Sequence, residues 1–214
     1  MKRPEPGLTS RSSGFTLIEL IVVVTIVAMM AAYAMPAYKT WIANAKVRAL
    51  AETTVANLRQ AQSEAFKRYR RVVYYRSNAT ACTGTPAYNA SGTYWVIKTI
   101  PLVAGDGTAV AQCGALTDGA SNFVIGDASN PGPLCFGTNG RPVAVDTGAT
   151  GTGIGVACTI PGNNGSITYT LDLKNSAGTQ TISDRQLAIV VNPAGGVRMC
   201  DTKKSLSNGN PDGC

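Results

Sequence analysis

Glu19 is a carboxylate inside a 21-residue apolar run, Phe15 to Met35, FTLIELIVVVTIVAMMAAYAM. A charge of this kind costs about 2.5–3.5 kcal/mol or more at the centre of a bilayer. Two readings follow. Glu19 is a tolerated charge near the membrane edge, five residues past Gly14, or it is one half of an ion pair whose cation comes from elsewhere. A cut after Gly14 would give Phe15 a positive amine. The amine of a neighbouring chain would then neutralise Glu19 and fix the axial stagger of two parallel helices.

The thiols are the second chemical set. Cys82, Cys113, Cys135, Cys158, Cys200 and Cys214 all lie beyond the apolar run, at spacings of 31, 22, 23, 42 and 14. No C-x-x-C occurs and the spacings fit no zinc knuckle, so an even count here points to disulfides. Six cysteines allow 15 pairings. Cys200 with Cys214 is the most defensible local pair; it would tie down the polar tail and contribute about 3 kcal/mol. The order of the other four stays open, and free buried thiols are the alternative. The chain has no His, which removes Ser-His-Asp and Cys-His catalysis and His-ligated zinc. No metal and no cofactor are expected.

Aspartate chemistry survives that exclusion. Val143-Ala-Val-Asp146-Thr-Gly-Ala-Thr150 resembles the active-site strand and turn of aspartic proteases, which need two aspartates sharing a proton. No second D-T-G is present, so the favoured reading is a strand ending in a Gly turn. Gly151-Thr-Gly-Ile-Gly155 lacks the spacing of a phosphate loop and no helical pattern follows it. The chain is expected not to be an enzyme; a membrane-anchored aspartic peptidase around Asp146 is the alternative from that class.

The net charge of +7 is uneven. Ala65 to Gly105 holds six cations and no acid, and Phe66 to Arg76 interleaves five cations with four aromatics. Such a composition permits nucleic-acid binding through Arg70 and Arg71. The alternative is structural. Lys67 and Arg68 complement a helix C-terminus, and Tyr69, Tyr74 and Tyr75 pack the head against the helix.

These residues need elements to hold them. The apolar run would reach about 31 Å as a helix, enough to cross a bilayer core. It follows a basic leader, MKRPEPGLTSRSSG, which places the N-terminus on the cytoplasmic side. No signal-peptide cleavage site is evident at 32–37. Beyond Pro36, a stripe of Val47, Leu50, Thr54, Leu58, Ala61 and Ala65 recurs at helical spacing. One helix from Phe15 to Tyr69, bent at Pro36, is expected. From Arg71 the pattern is β. Strands are expected at Arg71–Arg76, Thr93–Ile100, Asn122–Ile125, Pro142–Val145, Ser166–Leu173, Leu187–Asn192 and Gly196–Cys200, with a hairpin turn at Asn192-Pro-Ala-Gly-Gly196.

Gly14-Phe15-Thr16-Leu17-Ile18-Glu19-Leu20 resembles the processing motif of type IV pilins and type II secretion pseudopilins. The helix segments 47–52 and 58–65 and the terminal stretch Gln186–Asp201 are similar to the FimT/FimU minor pilins and the H-type pseudopilin GspH. The resemblance covers roughly Gly14–Tyr74 and Ser166–Asp201. It implies an α+β fold: a long helix, membrane-spanning in its first half, on a β-rich head of two antiparallel sheets. Residues 1–14 would be a cleaved leader, 15–36 the membrane or filament-core helix, 37–70 its amphipathic continuation and 71–214 the head. It further implies cleavage between Gly14 and Phe15 by a prepilin peptidase, N-methylation of Phe15, and an assembly role for Glu19. Pro36 falls where many pilins carry a kinking proline.

The expected function is that of a minor pilin or pseudopilin. Such a subunit would start in the bacterial inner membrane as a single-pass protein with a periplasmic head. It would then join a type IV pilus or type II secretion pseudopilus near the tip, to initiate assembly. Expected partners are the peptidase, other minor and major pilins or pseudopilins, the inner-membrane assembly platform, and membrane lipid before assembly. A DNA-receptor pilin is the alternative. FimT-type receptors carry G-R-x-R in the terminal hairpin, whereas Gly195-Gly-Val-Arg198 keeps only the second arginine, which weakens the DNA reading.

Overall fold

The computed structural model describes residues 14–116, 132–160, 165–171 and 185–214. The expected leader through residue 13 and the expected strand Asn122–Ile125 lie outside these. The order of elements is a helix, α1 (Leu17–Arg68), then β1 (Val72–Ser77), β2 (Tyr94–Thr99), β3 (Val110–Ala115), β4 (Leu134–Phe136), β5 (Ile167–Leu171), β6 (Leu187–Val191) and β7 (Val197–Asp201). The fold is α+β, and both sheets are antiparallel. Two compact units are distinguished, residues 1–39 and 40–214.

In the first unit, α1 runs through Pro36 with Leu, Ile, Val and Met exposed all round. An 18-residue window of it has mean hydropathy 2.4, with none of it buried. Length and composition alone make this the helix of the chain suited to crossing a membrane.

The second unit is built on the amphipathic part of α1. All six residues of the Val47–Ala65 stripe are buried. The five apolar ones join one core with Val72, Tyr74, Trp95, Ile97, Leu134 and Phe136 of the first sheet and with Ile167, Tyr169, Leu171, Leu187, Ile189 and Val191 of the second. The first sheet has the order β3-β2-β1-β4 and the second β5-β6-β7. Period-two alternation puts Val73, Tyr75 and Val96 on the opposite face of the first sheet. There they form a second core with Ile100, Cys135, Val145 and Cys158.

The expected strand Pro142–Val145 is not one. Pro142 and Val145 make only isolated bridges, to Phe136 and Cys158. Proline offers no N–H for a ladder. The segment is instead the start of a loop lying over the first sheet, held by the Cys135–Cys158 disulfide and by cations beneath it. Two strands went unforeseen. In β3, VAQCGA alternates poorly, and β4 is only three residues long. The hairpin turn at 192–196 forms, with Gly195 N–H donating to Asn192 O at 2.9 Å and Gly196 N–H to Asn192 Oδ1 at 2.7 Å.

Helix α1 ends at Tyr69, the sole non-glycine with positive φ (49°) among the described residues. Arg70 N–H reaches back to Ala65 O at 3.3 Å, closing a left-handed C-terminal cap.

Candidate functional site

The start of α1 is held by reciprocal hydrogen bonds. Glu19 N–H donates to Thr16 Oγ1 at 3.3 Å, while Thr16 N–H donates to Glu19 Oε2 at 3.4 Å. Thr16 is thus the N-cap and Glu19 the third helical residue of a capping box. The negative charge also faces the positive end of the helix dipole. The sequence signal of the box is the Thr-x-x-Glu spacing of Thr16 and Glu19, which the surrounding apolar residues obscure. Gly14 has nothing within 4 Å of where a Cβ would lie, and Phe15 is 84% exposed. Gly14, Phe15, Thr16 and Glu19 therefore form an open, accessible helix start followed by an apolar surface too large to face water. Pro36 lies inside the helix, in the same unit.

The basic segment of the head has a different character. The acid-free window is bounded by its own counter-ions, Glu64 and Asp106. Glu64 meets Arg68 at 2.8 Å and Lys67 at 3.6 Å. Arg70 pairs with Asp106. Arg71 donates to Thr150 O at 3.0 Å and Lys98 Nζ to Gly153 O at 3.0 Å, so two cations hold down the covering loop. Burial pulls the Lys98 amine below its usual range. Arg76 Nε donates to Gly92 O at 2.9 Å. Arg70 and Arg71 are therefore both engaged by partners within the head. Arg198 stands apart from them on β7, exposed, with Nη1 at 3.4 Å from Gly213 O. The structure does not assemble Arg70, Arg71 and Arg198 into one basic site.

Asp146 is exposed, and its carboxylate accepts from Gly148 N–H at 3.1 Å, an Asx turn. That geometry is a loop device and offers no shared-proton pair for peptide hydrolysis.

The cysteines pair as Cys82–Cys113, Cys135–Cys158 and Cys200–Cys214, with Cα separations of 5.7, 5.7 and 5.1 Å. The first ties the 78–93 loop to β3. The second lies in the second core. The third closes the tail, where Lys204 Nζ also meets Asp212 at 2.6 Å.

Residues 9–35 match the prokaryotic N-terminal methylation motif. No curated protein is detectably similar to the chain. Among solved structures, the chain is similar to the crystal structure of the type IV minor pilin FimU of Pseudomonas aeruginosa, at 16% identity and a TM-score of 0.44, over 74% of this chain and 90% of that one.

Proposed function

We propose that this chain is a minor subunit of a type IV pilus-like filament. It would be made as a membrane precursor, cut between Gly14 and Phe15, methylated on Phe15, and packed into the filament through the apolar half of α1. The observation that carries this reading is the opening of α1: an accessible Gly-Phe bond, a capped Glu19 and a wholly exposed apolar helix, inside the matched methylation motif. A lone helix of that kind has two stable environments, a bilayer and a bundle of like helices.

In this reading the basic leader stays cytoplasmic and the disulfide-bonded head lies in the periplasm, where thiols oxidise. Glu19 meets the Phe15 amine of a neighbouring subunit, which sets register. The head contacts other minor and major subunits near the tip and helps start assembly on the inner-membrane platform. Pilus and secretion pseudopilus share this opening segment, and the genes beside this one would separate them.

The test is processing. Cells with an active prepilin peptidase should give a mature protein beginning at methylated Phe15, and Gly14→Val should block the cut. Intact-mass analysis finding residues 1–14 retained in assembled protein would overturn the proposal.

A further inference from the structure

Glu19 and Lys39 are the two charged residues that bracket the apolar part of α1, and no acid occurs between Glu19 and Glu52. The helix runs through both without a break. Their separation of 20 positions is about 30 Å along a helix, the thickness of the hydrocarbon core of a bilayer.

At the outer end of this interval the residue types change within one turn. Tyr38 is 59% exposed, Lys39 is exposed, and Trp41, just past the start of the second unit, is 66% exposed. Neither ring belongs to a core; the first buried residue of α1 is Ala43. Trp and Tyr join an apolar body to a polar tip, which suits them to the boundary between acyl chains and headgroups. A lysine beside them can lay its stem along hydrocarbon and hold its ammonium at the level of the phosphates.

We infer that Tyr38, Lys39 and Trp41 form a collar that binds the phospholipid headgroup layer and fixes how deeply the helix sits. Lys39 Nζ would meet lipid phosphates, and the Tyr38 hydroxyl and Trp41 Nε1–H would donate to ester and glycerol oxygens. The collar rests on the membrane-precursor reading and adds a depth to it. With Lys39 at the headgroups on one side, the matched length brings Glu19 to the headgroups on the other. Its carboxylate then meets water and lipid headgroups and avoids the bilayer centre, where its cost is greatest.

The test uses the full chain in vesicles of phosphatidylcholine and phosphatidylglycerol. Trp41 fluorescence is isolated as the difference between the wild type and Trp41→Phe, since Trp95 is the other tryptophan. Lipids brominated on acyl carbons near the headgroup should quench Trp41 at least twofold more than lipids brominated near the chain ends. Lys39→Arg should keep that order. Lys39→Leu, which lengthens the apolar interval, should move the quenching toward the deeper bromines. Strongest wild-type quenching by the deep bromines would overturn the collar, as would a Lys39→Leu profile equal to the wild type. Absence of quenching by either lipid in chains that float with the vesicles would also overturn it, placing the rings in water or against a second copy. Chains that do not float with the vesicles would refute the membrane reading itself, and the collar with it.

Discussion

Glu64 is joined to Arg68 at 2.8 Å across one turn of α1, and the Glu64 side chain is only 7% exposed. The hydrogen bond from Arg68 holds the Glu64 carboxyl below its usual value of 4.5, with burial opposing the effect. A depressed folded-state pKa contributes stability that is complete above the unfolded value and lost as pH falls through the folded one. The wild type should therefore lose stability below about pH 4.5 partly through this residue. Glu64→Gln should cost about 1–2 kcal/mol at neutral pH, and the cost should shrink as the pH falls below the unfolded value and through the depressed folded one. Denaturant unfolding of both proteins across that range checks it; parallel pH curves would show the pair to be inert.

Tyr69 supplies the converse case, a local conformation the residue resists. Its φ of 49° suits glycine, and its ring is 80% exposed, so little packing compensates. Tyr69→Gly should stabilise the protein by up to about 1 kcal/mol. A lower midpoint for the glycine variant in chemical unfolding would show that the exposed ring contributes packing after all.

Gln62 connects the two sheets. Its Nε2 donates to Gly140 O at 2.9 Å and to Gly195 O at 2.6 Å, one beyond β4 and the other in the β6–β7 turn. Gln62→Ala strands two part-buried carbonyls and should cost about 1–3 kcal/mol. Gly195→Ala should also destabilise, since φ is 91° and a Cβ would come within 2.7 Å of Gly140 O. The two effects should be less than additive, because they disturb one contact. A double-mutant cycle measures this directly.

Much of the fold could be read from residue pattern. The Val47–Ala65 stripe has helical period and all of it is buried, and Ile167, Tyr169 and Leu171 alternate as they do in β5. What failed was short or irregular. Pro142–Val145 carries β-prone valines, yet it meets the first sheet only locally, through the Phe136–Pro142 bridge and the bond from Val143 N–H to Cys135 O at 2.9 Å, while Val145 turns to Cys158. The acid-free window also misled. Glu64 and Asp106, the counter-ions of Lys67, Arg68 and Arg70, stand just outside its two ends, so a count within the window overstates the charge left unpaired.

That pairing leads to a prediction about DNA. With Lys67, Arg68 and Arg70 in ion pairs and Arg71 bonded to a loop carbonyl, few cations are free to displace counter-ions from a duplex. Duplex binding in a salt series should be weaker than about micromolar at physiological salt, with a shallow slope. Tighter binding that is lost on Arg198→Ala, or on Arg70→Ala with Arg71→Ala, would favour a DNA-receptor role.

Glu19 has two roles to separate, the cap of its own helix and the charge offered to a neighbour. Three substitutions divide them. Glu19→Gln keeps a capping-box residue and removes the charge. Thr16→Ala breaks the reciprocal bonds, at about 1 kcal/mol of helix stability, and keeps the charge. Glu19→Ala removes both. All three should insert in the membrane and be cut after Gly14, since neither group borders the scissile bond. If the charge sets register against a Phe15 amine, both Glu19 variants should enter filaments at a tenth of the wild-type level or less, and Thr16→Ala should enter nearly normally. Quantifying each variant in sheared filaments against its membrane pool makes the comparison. Normal incorporation of Glu19→Gln, with loss in Thr16→Ala, would make Glu19 a helix cap and remove the intersubunit ion pair from the mechanism.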